Sequence, residues 1–136
     1  ADSTPIHIAQ AGQRFAFGGA QLRVLAIGEG KEGGMLLRLE YGSTSAVLDQ
    51  NALAGAVGQR AADMLAFPWE YDPRNDAVAA MHPRAIIFTD GASAPDPAEL
   101  SFRDRAVGGA QLFHERLNGT ITWASNGRRA TVTSAR

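Results

Sequence analysis

The chain has no cysteine, so a disulfide framework, a thiolate metal site and a cysteine nucleophile are all excluded. That absence leaves the redox compartment open. Lysine is nearly missing too: of 13 basic residues only Lys31 is lysine, and the arginines are spread along the chain. Their closest pairs, Arg103/Arg105 and Arg128/Arg129, are too small to form a patch in sequence. With a formal net charge of −1, the basic excess that usually marks broad electrostatic nucleic-acid binding is absent. No run approaches the roughly 18 apolar residues that a membrane-spanning helix needs. There is no initiator Met, and the opening ADSTP has neither the basic start nor the apolar middle of a signal peptide. The expectation is a mature product or an excised piece of a longer chain, with residues 1–4 as linker.

What is present fits one globular domain. A length of 136 residues, 45% hydrophobic and 20% charged, is enough for a real core. PIHIA (5–9) predicts a short strand. GQRFAFGGAQLRVLAIG predicts a hairpin turning at Gly18-Gly19, and MLLRLEYG (35–42) and TSAVLD (44–49) predict two strands joined at Gly42-Ser43. In the second arm of the first hairpin, Leu22 and Val24 alternate with Arg23 and Leu25, as in a half-buried strand. GEGKEGG (28–34) is glycine-rich, but it lacks the GK[ST] ending of a phosphate loop and no helix follows it.

From Asn51 the pattern changes. Helices are predicted over 51–62, 73–83 and 95–109, alternating with the continuous apolar strands DMLAFP (63–68) and RAIIFTDG (84–91). Gly55 and Gly58 weaken the first helix by about 1 kcal/mol each. The end predicts three strands, AQLFHER, LNGTITWAS and NGRRATVTS, with turns at Asn118-Gly119 and Asn126-Gly127. Buried strands alternating with helices imply a mixed sheet with helices packed on it, an α/β (α+β) domain.

In this order, AGQRFAFGGAQLRVL, GMLLRLEYGSTSAVLDQNA, ADMLAFPWEYD, PRAIIFTDGASAPDPAEL and GGAQLFHERLNGTITWASNGRRATVTS resemble the C-terminal half of a metallo-β-lactamase-like domain. The nearest branch is the domain closing the competence DNA-internalisation proteins (ComEC type). The resemblance runs over residues 5–134 and implies half of an αββα sandwich with about three helices. It also implies a site at the ends of the central strands, where the family carries metal ligands. An active member has an HxHxDH motif in its first half, and this chain has none; His7, His82 and His114 are isolated. Where the family has the bridging Asp of TGD, the alignment places Asn51, with Asp49 two residues earlier. Where it has HHGS, this chain has Trp69, Glu70, Tyr71 and Asp72. Where it has the His of GHP, Asp96 stands before Pro97.

The replacements bear directly on chemistry. A two-zinc hydrolase needs imidazoles and carboxylates converging at about 2.0–2.2 Å on each metal. Neutral Asn51 is a poor bridge and Trp69 cannot ligate. Glu70 and Asp96 suit only a hard cation, and without partners they make a weak site. Trp69 and Tyr71 could stack on bases, but filling the space of lost ligands is the plainer role. Glu70 with Asp72 has the composition of a general acid–base pair, though Asp72 before Pro73 suits a turn or cap. Asp90 and Asp96 bracket a polar loop at a strand end, where open sheets bind ligands. Ser43, Thr44 and Ser45 lack a glycine elbow and a neighbouring base.

The resemblance therefore implies a non-catalytic domain of a competence-type DNA-uptake membrane protein, outside the cytoplasmic membrane, with no cofactor or metal. Its partners would be DNA or the rest of that protein, and an exposed sheet or helix face would favour a homodimer. The alternative is the C-terminal half of a metal-dependent hydrolase or nuclease whose first ligands lie in a preceding half. A free-standing binding module is the third reading.

Overall fold

The computed structural model describes residues 8, 10–28, 34–50, 61–68, 80–89 and 110–136. Its frame is a seven-stranded sheet in which the strands lie in chain order. The strands are β1 (Arg14–Phe17), β2 (Ala20–Ile27), β3 (Met35–Tyr41), β4 (Thr44–Asp49), β5 (Met64–Pro68), β6 (Ala85–Thr89) and β7 (Gln111–His114). The first four pair antiparallel and the last four parallel, so β4 belongs to both regimes. Turn chemistry accounts for the antiparallel half. Gly18 and Gly19 both take positive φ, 52° and 84°, the left-handed pair that a two-residue hairpin favours. At the β3–β4 turn Gly42 alone is positive, at φ 59°. The parallel half needs long crossovers between strands, and the sequence between β4, β5, β6 and β7 supplies them.

Side-chain alternation divides the sheet into two faces. On one face, called outer here, Leu36, Val47, Leu65, Ile86 and Phe88 form a core with Ala62, Met81 and Ala110; Leu25, Ala26 and Leu112 pack against it. A bulge between Val24 and Ala26 accounts for the consecutive residues Leu25 and Ala26 sharing that core. On the inner face Ala46, Met64, Ala66, Ala85, Ile87 and Phe113 form a second core. Both faces of β5 and β6 are therefore buried, as their unbroken apolar runs predict. The register extends the inner face through Leu39 and Leu37 of β3, Leu22 and Val24 of β2, and Phe15 and Phe17 of β1.

A separate two-stranded sheet, β8 (Ile121–Ser125) with β9 (Ala130–Ser134), lies over part of that inner face. Ile121, Trp123 and Val132 pack on the inner core together with Leu39. Its tip is fastened to the β3–β4 turn. Ser43 N donates to Gly127 O at 2.8 Å, the Ser43 hydroxyl donates to the same carbonyl at 3.2 Å, and the Thr44 and Ser125 hydroxyls bond each other.

Two expectations change at this stage. Asn118-Gly119 is not a hairpin turn between strands of one sheet. The chain leaves β7 at His114 and makes a single helical turn, α1 (Glu115–Asn118), before entering the other sheet. The cause is local: His114 Nδ1 accepts from Arg116 N at 3.1 Å, and Asn118 Oδ1 accepts from His114 N at 2.9 Å. These two side-chain caps satisfy backbone donors that a strand would have paired with a neighbour. The only helix with described bounds is thus one that the sequence did not predict. The three predicted helices lie outside the described residues, apart from the helical pair 80–81 and the non-helical 61–62 and 82–83. The predicted strand 5–9 and the loop 28–34 also lie largely outside them; Ile8 is not in a strand. Asn126-Gly127 does form the β8–β9 turn, with Asn126 Oδ1 accepting from Arg128 N and Arg129 N, each at 2.9 Å.

Candidate functional site

The sequence points to the ends of the central strands. Asn51, Trp69, Glu70 and Asp96 themselves lie outside the described residues, as do Tyr71, Asp72 and Asp90. What the structure fixes is the edge from which they depart. Asp49 closes β4 and is followed by Gln50; Pro68 closes β5; Thr89 closes β6. Because these strands run parallel, all three ends reach the same edge, where open α/β sheets bind ligands. Asn51, Trp69 and Asp90 each follow directly on a described end residue in sequence.

At this edge Met35, Leu37, Leu48, Ala66 and Pro68, with Asp49, Gln50 and Thr89, line a groove of about 210 Å³. Its walls are mostly apolar. Asp49 is only 5% exposed, and it is the residue that sequence reasoning passed over in favour of Asn51. Only the fold shows this: the last residue of TSAVLD pairs in register with buried Leu36. Gln50 N is tied to Met35 O at 2.9 Å, and Gly34 stands so close to Gln50 O that a Cβ there would lie 1.6 Å from it. The strand end is thus held firmly. Among the described residues no three His, Cys, Asp or Glu side chains converge as a metal site would require.

The other candidates resolve into structural roles. Thr44 Oγ1 donates to Tyr41 O at 2.7 Å and Ser45 Oγ faces Ala61 O at 3.5 Å; with Ser43 engaged on Gly127, all three hydroxyls are occupied. His114 is fully buried as the cap of α1. His82 is exposed at φ 47°, the one non-glycine residue with positive φ among the described residues.

A second, polar recess of about 410 Å³ opens at the opposite edge, the amino ends of the parallel strands. Arg38, Glu40, Ser43, Ser45, Asp63, His82 and Arg84 line it with Ala61, Ala62, Gly42 and Thr44. Arg38 is 6% exposed; its Nη2 donates to Ala61 O at 2.7 Å, and its Nε lies 3.7 Å from Glu40 Oε1. Asp63 Oδ2 accepts from Ser45 N at 2.9 Å, joining β4 to the start of β5. Nothing in the scattered arginine sequence announced this recess.

No family model matches the sequence, and no curated protein matches it. The fold does match. The sheet, with its carboxyl-edge groove and the second layer over its inner face, is similar in fold to metallo-β-lactamase fold proteins. Two solved structures carry the comparison. The metallo-β-lactamase fold protein YhfI from Bacillus subtilis aligns with a TM-score of 0.57 at 13% identity, over 79% of this chain and 52% of that one. A variant of the CmlA β-hydroxylase aligns with a TM-score of 0.54 at 13% identity, over 76% of this chain and 31% of that one. The chain therefore spans about half the length of one and a third of the other. At such identity the likeness concerns the fold alone.

Proposed function

We propose that the chain is a non-catalytic half of a metallo-β-lactamase-like sandwich, with an interaction role rather than a hydrolytic one. Its inner sheet face is the surface on which a further β-layer docks. The observation that carries this reading is the character of that face. From β1 to β7 its strand positions hold Phe15, Phe17, Leu22, Val24, Leu37, Leu39, Ala46, Leu48, Met64, Ala66, Ala85, Ile87 and Phe113 and no charged residue. The β8–β9 layer covers the middle of it. Phe17 remains 56% exposed, Phe15 41% and Leu48 37%, large apolar side chains that the layer leaves open and that a partner surface would cover. The half-length match to YhfI supports the same reading, as do Asn51, Trp69, Glu70 and Asp96 standing where active relatives carry ligands.

In the finer form of the proposal, the helices expected over 51–62, 73–83 and 95–109, stopping short of 61–62 and 82–83 where the chain is not helical, cover the outer face. The parent is a DNA-uptake membrane protein of the competence type, with this domain outside the cytoplasmic membrane. Among the described residues no helix is long and apolar enough to cross a membrane. The test is metal content with phosphodiesterase activity, measured on protein purified from zinc-supplemented cells. The proposal expects far less than one zinc per chain and no turnover of a generic phosphodiester. Stoichiometric zinc together with turnover would defeat it in favour of the hydrolase alternative.

A further inference from the structure

β1 is one edge of the seven-stranded sheet, and its residues, Arg14–Phe17, are exposed at every position. No described strand pairs with its far side. The opposite edge differs, because β7 ends in buried Phe113 and His114 and runs straight into α1. The direction of the backbone groups along β1 follows from its pairing. Val24 N donates to Gln13 O at 2.9 Å, and Val24 O accepts from Gly12 N at 2.8 Å, so Val24 turns its backbone toward the β1 side. Alternation turns Leu22 and Ala20 the same way, and their partners Phe15 and Phe17 carry the β1–β2 bonds. The N–H and C=O groups of Arg14 and Ala16 therefore point to the open side. Upstream a turn closes the stretch: Gln13 N donates to Gln10 O at 3.2 Å, and Gln10 N to Gln13 Oε1 at 2.7 Å. Such an edge is a template for another strand unless lysine, proline or a covering segment blocks it. RFAF has neither lysine nor proline.

We infer that β1 pairs antiparallel with β1 of a second copy across a two-fold axis at Phe15, so that the sheet continues from one molecule into the next. A two-fold interface sets one surface against itself, and this edge is self-complementary in one register. With the axis at Phe15, Arg14 stands opposite Ala16 of the second copy, and Ala16 opposite its Arg14. Both outward-pointing residues of each copy are then paired, and each pair exchanges two backbone hydrogen bonds. An axis at Arg14 would set two like charges against each other. An axis at Ala16 would set Arg14 against Gly18, which the hairpin turn holds at a positive φ of 52°, away from strand geometry. The Phe15 register avoids both. On the inner face Phe15 then meets its own copy in a non-hydrogen-bonded pair, with Cα atoms about 4.5 Å apart, an aromatic cross-strand contact. It covers a ring that is 41% exposed in the single chain. So short an edge makes a small interface, of the weak and concentration-dependent class. The inference goes beyond the docking face proposed above and does not rest on it: zinc and turnover would end that reading and leave the edge as it is.

The test combines sedimentation from about 1 μM to about 1 mM chain with oxidation of single-cysteine variants by oxidised glutathione. Because the chain has no cysteine, each variant carries one thiol. The wild type should pass from monomer to dimer over this range. Ala16→Pro removes an outward N–H while sparing the β1–β2 ladder, and it should weaken the dimer about tenfold or more. Phe15→Cys should form a covalent dimer readily, since directly opposed Cα atoms lie within disulfide reach. Phe17→Cys should not, although its position is the more exposed at 56%. In this register Phe17 faces Gln13 of the second copy, which places the two Phe17 positions about 13 Å apart along the strands, beyond that reach. Circular dichroism checks that each variant keeps its fold, and the cysteine pair decides if Ala16→Pro does not. The inference fails if the wild type stays monomeric throughout, or if folded Ala16→Pro dimerises like it. It fails equally if Phe17→Cys cross-links as fast as Phe15→Cys, the outcome expected of copies stacked through their inner faces.

Discussion

Gly42 and Gly34 sit where backbone meets backbone, and the arithmetic at each position is different. At Gly42 a Cβ would lie 2.0 Å from Gly127 O, and φ is +59°, so a side chain meets both a steric wall and an unfavourable dihedral. Gly42→Ala should therefore cost about 1–3 kcal/mol from the backbone alone and more from unseating the β8–β9 tip. Urea denaturation would check it; a variant as stable as the parent would show the tip contact to be unimportant. At Gly34 only the wall is present, 1.6 Å from Gln50 O, and that contact pins the carboxyl edge of β4. His114 gives a sharper comparison. Its Nδ1 caps α1 from a fully buried position, so His114→Ala loses both the cap and the packing. The expected cost is about 2–4 kcal/mol. His114→Asn, which retains an acceptor near Nδ1, should recover about 1 kcal/mol of that. Equal losses for the two variants would show packing alone to matter.

At the scale of elements, β5 (MLAFP) and β6 (AIIFT) were legible from sequence because an unbroken apolar run in a short element has to be covered on both faces. Positions on one strand still differ by face and depth. Val47 of β4 is fully buried on the outer face, while Leu48 next to it is 37% exposed on the inner face. Val47→Ala should cost about 1.5–3 kcal/mol, and Leu48→Ala well under 1 kcal/mol. Chemical denaturation of the two variants tests the assignment of faces: comparable losses would mean that the inner face is already covered. The α1 turn was not legible. HERLN has no strong helix signal, and its first turn exists because the buried His114 imidazole accepts from Arg116 N while the Asn118 side chain accepts from His114 N. Asn118-Gly119 has the composition of a hairpin turn, but the next strand joins another layer.

For the whole molecule, the uncharged inner face makes a prediction about association. Isolated chains should self-associate with rising concentration and bind a hydrophobic dye, because Phe15, Phe17, Ile27 and Leu48 remain exposed. The small net charge of −1 opposes this only weakly. Phe17→Ser/Leu48→Ser should shift sedimentation toward monomer and lower dye binding, while the fold is kept. A parent chain that stays monomeric and dye-silent at every concentration would mean that this face is already satisfied. Raising the salt should strengthen this apolar self-association slightly.

The sequence by itself determined the strands, most turns and the type of fold, because alternation, apolar runs and glycine pairs are local signals with local causes. It also set the expectation for Asn51, Trp69, Glu70 and Asp96, because ligand chemistry is a property of residue type: an amide is a poor bridge and an indole no ligand for zinc. Only the tertiary structure decided which residues stand together. Asp49 became the buried carboxylate at the strand end through its register with Leu36. Arg14, Arg23 and Arg38, far apart in the chain, became neighbours because two hairpins fold them onto one line. Register converts sequence distance into a few ångströms, and no composition or spacing along the chain carries that information.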